Sequence, residues 1–563
     1  MGRLTERVIN QVKKTKSHKK KKQTMKKKLF KTRLLSFAAF CGLTLVFASC
    51  ANEDVAQNPN STDNDKNLTT FTAGDPSTRT SMESDGKFFW EQGDKIYVKD
   101  DNGAWHASSN SPTGKTDKFK FKVPGTYTAH TSYEVYYPGQ GGSNDQAVIA
   151  ASQSQAEPNT TTHFGAAGDC GMATATKVPG KQQFAFTLDH KAAYLLFLPR
   201  TANTILHDCY LTKVEVNSDN DITDTYTLDP TTGELTGTGT GKQIVLTTRD
   251  PTWGSSNYNG FPLTNSTASA ATNGSYVVIK PGTHTLKIRY WVKDIVTGTE
   301  GTITKTLAQA TYDQNKYYNI TANLNIREYD GYHYYMWDAK QNYWADHEWD
   351  TANPWQPVLN GATEGTNYPK FGENRFYNMV NNGTASNMPA TQNPLFTALP
   401  NVNEMSWYVV KGDPHYDADE VWTTMGHLYK GGLWIKKKSK IAGFNSNTDY
   451  NGIDWRAASV QYLGSSTGSY ASYFTNTTKG QPTNINDYFY IPSLGQYDGN
   501  LLLYGVGNVE LKEIGQVGYY WTSTGTYWDG VPMGYYLRIQ PTQINLTYNA
   551  RTNGYITQPT WFE

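Results

Sequence analysis

Beyond Asn67 the chain is written in strand-length runs. Leu68-Thr-Thr-Phe-Thr-Ala-Gly alternates apolar and polar residues, Asp75-Pro76 breaks it, and Asp85-Gly86 precedes Phe88-Phe89-Trp90 and Gly93-Asp94-Lys95-Ile96-Tyr97-Val98. A period of two puts alternate side chains on one face of a pleated sheet, and Gly, Pro, Asn and Asp between such runs mark turns. The pattern continues through Phe184-Ala-Phe-Thr-Leu, Leu211-Thr-Lys-Val-Glu-Val, Ile244-Val-Leu-Thr-Thr, Ser275-Tyr-Val-Val-Ile, Leu286-Lys-Ile-Arg-Tyr-Trp-Val, Ile303 to Ala310 and Tyr317-Tyr-Asn-Ile-Thr-Ala-Asn-Leu. Long stretches of Ala, Leu, Glu and Lys at helical spacing are absent, whereas the chain holds 49 Gly and 39 Tyr. Together these features predict a mainly β protein with strand spacing suited to sandwiches.

The segment Leu34 to Cys50 is of another kind. A basic flank (Lys26, Lys27, Lys28, Lys31, Arg33) leads into a short apolar core that ends in Ala48-Ser49. This is the layout of a secretory signal, since a membrane span needs about 20 apolar residues. Met1 to Thr24 is polar and lysine-rich, so translation is expected to start at Met25. Of 51 Lys+Arg and 50 Asp+Glu, 14 basic residues and one acidic residue lie within 1–49, which leaves 37 and 49 beyond, a formal net of −12. An acidic exported chain is poorly suited to nucleic acid or anionic lipid, which require neutralising cations. The remaining length of about 514 residues suggests roughly three domains. Ala51 to Asn67 carries too little apolar surface to fold and is expected to be a tether.

With Cys41 in the signal and Cys50 at its end, Cys170 and Cys209 are the remaining pair able to form a disulfide outside the cell. The spacing does not decide whether they do. Cys50 directly after Phe47-Ala48-Ser49 resembles the lipobox of bacterial lipoproteins, which implies cleavage before Cys50 and lipidation of its sulfur. Glu53 and Asp54 resemble the signal that sends Bacteroidota lipoproteins to the cell surface, which implies an outer-membrane, lipid-anchored location.

A wider resemblance rests on several spaced elements in order. Phe71-Thr-Ala, Thr78-Arg-Thr80, Gly86 to Trp90 and Gly93-Asp-Lys-Ile-Tyr-Val98 resemble the opening of fimbrillin-like (Mfa-like) proteins, pilus subunits and tip adhesins of Bacteroidales. His190-Lys-Ala-Ala193 and Tyr317-Tyr-Asn-Ile-Thr-Ala-Asn-Leu324 look like that family's second β-domain. The resemblance implies two tandem β-sandwich domains and assembly by β-strand addition, in which an arginine-directed protease cuts after the first strand and a neighbour's strand fills the groove. Arg79 is the basic residue placed for such a cut; its alternative role is a solvent-facing strand residue. The implied partners are other pilus subunits and a host or bacterial surface protein or glycan.

After Asp330 the chain becomes rich in Trp, Tyr, Asn and Gly. Tyr490-Ile-Pro-Ser-Leu-Gly495, Gly518-Tyr-Tyr-Trp-Thr-Ser-Thr524 and Tyr535-Tyr-Leu-Arg-Ile539 resemble C-type-lectin-like modules of exported Bacteroidota and Fibrobacter paralogous proteins, an α+β fold. The expected organisation is therefore a signal at 1–49, a tether at 50–67, fimbrillin-like β-domains at 68–175 and 176–328 with their boundary within Ala173 to Lys181, and a lectin-like domain at 329–563.

Catalysis finds no constellation to support it. No cysteine follows Cys209, so the formylglycine-type oxidase chemistry known for the lectin-like fold lacks its thiols. His333, His347, His415 and His427 lack metal-ligand spacing, and the pairs Asp413 with Asp417 and Asp419 with Glu420 have no separation that sequence can fix. We expect no cofactor, metal or catalytic residue. Binding is the better reading, because Trp and Tyr offer flat apolar faces with polar edges. Trp528, Asp529, Trp344 and Trp349 are the candidate ligand contacts, while Trp521, in a strand-like run, is expected in the core.

Overall fold

The computed structural model describes residues 67–74, 81–82, 88–363, 367–379, 387–457, 473–499, 509–528 and 531–562. The expectation of a mainly β chain holds throughout them. The first strand, Leu68–Ala73, lies inside an eight-stranded sheet, between Gln183–Phe186 on one side and the edge strand Phe119–Pro124 on the other. Phe71 and Ala73 face the core and are fully buried, as their alternation with Thr70 and Thr72 requires. Trp90, Phe121, Tyr137 and Phe184 pack with them.

The expected boundary between residues 175 and 176 does not separate two sheets. Gly171–Lys177 pairs over six positions with Ser132–Tyr137 and continues through a hairpin into Gln183–Phe186. Pro179-Gly180, within the expected boundary segment Ala173 to Lys181, is the turn of that hairpin, with Gly180 at φ +74°. Turn residues mark a reversal of the chain equally well whether or not a domain ends there. Conversely, Gln146–Ile149 and Ser152–Gln155 leave the first region and pair with Asp224–Asp229 and Gln243–Thr248 of the second.

Ala193–Arg200 is the pivot of the second region. It runs between Ser275–Ile279 and Tyr317–Asn323 and is buried from Ala193 to Pro199. Both faces are covered: Leu195 and Phe197 enter the core shared with Val214, Ile288 and Tyr290, while Tyr194, Leu196 and Leu198 enter a second core with Tyr136, Phe164 and Tyr276. A strand covered on two faces reads as a continuous apolar run, as this one does. The facing sheet is ordered Glu300–Thr306, Leu286–Lys293, Tyr210–Ser218, Gln243–Thr248, Ser152–Gln155. Within the second core, buried Asp169 pairs with His190 at 2.9 Å and accepts from the Tyr194 hydroxyl at 2.5 Å.

The C-terminal region is built on two further sheets. One holds Arg327–Tyr329, His415–Thr424, His427–Lys436 and Tyr488–Pro492, and the other centres on Gly518–Trp528, Val531–Ile539 and Gln543–Ala550. Against the second of these sheets packs the ten-residue helix Val402–Lys411, opened by a capping box in which Asn401 and Glu404 exchange side-chain and backbone bonds. Trp521 is buried against Tyr555 and Tyr536, as expected. No helix among the described residues is long and apolar enough to cross a membrane.

His163 sits at the seam of the first two regions. Its Nε2 meets the Tyr276 carbonyl at 3.1 Å, and its Nδ1 is buried without a partner. Burial pushes this imidazole down to about 4. In the unfolded chain the ring titrates near its ordinary value, so between roughly pH 6.5 and 4 the unfolded state binds the additional proton. Stability is therefore expected to be complete above pH 6.5 and to fall by about 3 kcal/mol as the pH drops towards 4. Denaturant melts of the protein and of His163→Gln across this window check it, and the two profiles should converge in acid. Parallel profiles would contradict the assignment.

Candidate functional site

Two places hold organised chemistry. The first is the seat of strand Leu68–Ala73. It pairs antiparallel with Phe119–Pro124 over six positions and parallel with Gln183–Phe186 over four. Phe71 stacks on Phe184 at 5.1 Å and meets Tyr127 edge-on at 5.2 Å. The strand thus fills a slot that is apolar on its inner side and lined by main-chain donors and acceptors along both flanks.

The second is a groove of about 1200 Å³ between the outer face of the second region's sheet and the start of the C-terminal region. Cross-strand register puts Glu215 opposite Arg289, and Asn217 opposite Lys287 and Gln243. Glu215 accepts from Arg289 at 3.1 and 3.0 Å, from Trp291 Nε1 at 3.1 Å, from Asn217 at 2.9 Å and from Gln243 at 3.1 Å. Burial alone would raise its carboxyl, but the hydrogen bonds from Asn217, Arg289 and Trp291 hold it below the usual carboxylate range. This wall is pre-ordered and satisfied.

The opposite wall is made by an irregularity. His415–Thr424 pairs with His427–Lys436 from both ends, but the register shifts between Asp417 and Val421, so Ala418, Asp419 and Glu420 bulge out. The Asp417 carboxylate fixes the bulge by accepting from the N–H groups of Asp419 and Glu420 at 3.1 Å each. Glu420 receives Gln481 at 3.3 Å. Its own burial and the neighbouring Asp417 push its carboxyl above the ordinary value, against the pull of Arg327.

Arg327 links the groove to an adjoining cavity of about 510 Å³. Its exposed guanidinium lies over the rings of Trp434 and Tyr490, 5.5 and 5.1 Å from their centroids. Those rings are themselves 5.0 Å apart on neighbouring strands and are almost wholly buried, at 4 % and 6 % exposure. The Trp434 indole N–H and the Tyr490 hydroxyl have no hydrogen-bond partner. The hydroxyl stands over Gly432, whose cross-strand partner is Asp417, and a β-carbon at position 432 would collide with it.

The residues singled out from the sequence lie elsewhere. Cys50, Arg79 and Asp529 fall outside the described residues, as does the Trp528 side chain. Trp344 is a core residue, 1 % exposed and packed edge-on against Tyr497 at 5.1 Å, and is corrected from candidate contact to structural aromatic. Trp349 is half-buried, with its indole N–H held by the Asp330 carbonyl at 2.7 Å. Cys170 and Cys209 are buried free thiols in different cores, so the disulfide left open by the sequence is not formed. Burial pushes the Cys170 thiol far up and Cys209 to about 12, which leaves neither nucleophilic. His427 meets Asp294 at 3.1 Å, and Asp413 accepts from Tyr488 at 2.7 Å. Among the described residues no three His, Cys, Asp or Glu side chains gather as a metal site. The sequence offers Asp417, Asp419 and Glu420 only through the pairs Asp413 with Asp417 and Asp419 with Glu420, offers Tyr490 only as a motif residue, and gives no signal for Arg327 or Trp434 as contacts.

No family model matches the chain, and no curated protein matches it. Solved structures similar to it include a fimbrial protein from Bacteroides ovatus, at 12 % identity and TM-score 0.24, covering 87 % of this chain and 98 % of that one. A candidate cell adhesion protein from Bacteroides ovatus aligns at 14 % identity and TM-score 0.29 over 46 % of this chain and 92 % of its own. Another from Bacteroides uniformis aligns at 15 % identity and TM-score 0.25 over 46 % and 93 %. At these scores the likeness transfers neither a fold nor an activity to this chain.

Proposed function

We propose that this chain is a fimbrillin-like adhesin, lipid-anchored at the cell surface through Cys50, that joins a pilus as a tip or accessory subunit and binds a partner through its C-terminal, lectin-like region. The observation that carries this reading is the position of Leu68–Ala73. A terminal strand held inside a sheet, followed within a few residues by Arg79, is the element that one cut would free and another subunit's strand could replace. Arg79 is the proposed cut and other pilus subunits the proposed partners. A large C-terminal region suits a tip, where bulk ends polymerisation.

The polar groove favours a second reading, in which the protein is a stand-alone surface lipoprotein that binds glycan or nutrient without entering a pilus. In both readings the work is binding rather than catalysis. Intact mass and N-terminal sequencing of protein from the native membrane and from sheared surface fibres separate them. A lipidated Cys50 terminus in both fractions supports a tip or anchor subunit. A terminus at Thr80 in the fibres makes it a strand-exchanging shaft subunit, and recovery from the membrane alone leaves the stand-alone binder.

A further inference from the structure

We infer that the corner formed by Asp417, Glu420, Arg327, Trp434 and Tyr490 is a binding subsite for a neutral pyranose sugar. The inference rests on the reading of this protein as a binder and is independent of whether it enters a pilus.

The chemistry selects the ligand class. Carboxylates, amides, two guanidinium groups and an ammonium converge from both walls of the groove, with few apolar groups among them. An anionic ligand would meet Asp417, Asp419 and Glu420, and a cationic one Lys287, Arg289 and Arg327. A neutral polyol is served by both signs, since planar carboxylate and guanidinium groups each engage neighbouring hydroxyls in pairs. Next to these groups lie Trp434 and Tyr490, and stacking on such rings is the apolar half of sugar recognition.

The state of the two aromatics supplies a second, independent observation. A buried hydroxyl or N–H without a partner costs stability and is rare in native structures. Here two occur side by side, on rings overlain by the guanidinium of an exposed arginine. Moving the Arg327 guanidinium aside opens the ring pair and gives Tyr490 and Trp434 hydrogen-bonding partners on the sugar. The Tyr490 hydroxyl stands over Gly432, beside the strand position of Asp417, so a ligand bound to that carboxylate lies within its reach.

The test uses the full chain in detergent, with saturation-transfer NMR and calorimetry. Lactose, maltose, mannobiose and diacetylchitobiose are the neutral probes, and sialyllactose and a heparin disaccharide are the anionic controls. At least one neutral probe is expected to bind at millimolar concentration, and Glu420→Gln to weaken it by about tenfold, the loss typical of a hydrogen bond to a charged group. Tyr490→Phe discriminates most sharply. It removes a hydroxyl that has no partner in the free protein, so thermal stability should hold or rise while affinity falls severalfold. A merely structural tyrosine would show no affinity change. Absence of any neutral ligand, binding of the anionic probes alone, or sugar affinity untouched by both variants would overturn the subsite. If the chain still adheres to host or bacterial surfaces in those cases, the adhesin reading survives and only the site falls.

Discussion

A chain beginning at Thr80 is expected to lose a stabilisation comparable with the whole folding free energy of a small domain, about 5–15 kcal/mol, in its N-terminal sheet. Strand Leu68–Ala73 has main-chain partners on both flanks, and its removal exposes the ladder edges of Phe119–Pro124 and Gln183–Phe186 together. It also uncovers Phe121, Phe184 and Tyr127, which close around Phe71. Phe71→Ala alone should cost about 3–5 kcal/mol, the range for a large buried aromatic. The truncated chain should bind a hydrophobic dye and aggregate, and a synthetic peptide spanning residues 67–78 should restore its melting transition. If truncation leaves the transition unmoved, the strand is dispensable and the proposed route of assembly fails with it.

The second large effect is predicted at Asp338, which no sequence argument singled out. This fully buried carboxylate accepts from the backbone N–H groups of Thr391, Gln392 and Asn393 and from the Asn378 side chain, at 2.7–3.1 Å by its shortest contacts. It ties the strand ends near Met388 to the chain around Trp337. Asp338→Ala would strand several buried donors at once, for an expected loss of about 3–5 kcal/mol. The residue also holds φ +53°, in the left-handed region that Asp and Asn tolerate better than Ala. Asp338→Asn keeps that conformation and one acceptor oxygen, so it should cost distinctly less. Urea melts with matched slopes would check the ranking, and equal losses for the two variants would contradict it, showing that neither the retained conformation nor one acceptor oxygen replaces the carboxylate.

What the sequence made legible was local. Alternation located Leu68–Ala73 and Leu286–Lys293, whereas the covering of Ala193–Arg200 on both faces emerged only from the structure. Trp521 was placed in the core by the same logic. Errors arose where a local signal had two structural meanings. Pro179-Gly180 suits a domain boundary and a hairpin equally, and Trp344 suits a binding face and a core equally until its neighbour Tyr497 is known. The capping-box pair Asn401 and Glu404 was a readable helix start that an argument from overall composition passed over. The groove was hidden for a different reason. Glu215 meets Arg289, and Arg327 meets Trp434 and Tyr490, only because the strands between them fold back in a particular register, and no spacing along the chain encodes that.

The mixed neighbours of the first strand carry a further consequence. Leu68–Ala73 is parallel to one flanking strand and antiparallel to the other. Parallel ladders space their bonds evenly and at a slant, whereas antiparallel ladders alternate close and wide pairs. A segment entering backwards would exchange the two ladder types, pairing antiparallel with Gln183–Phe186 and parallel with Phe119–Pro124. A row of molecules joined by one strand donated into the next slot would have unlike ends: each contact heterologous, the series open, and the whole fibre carrying an arrow.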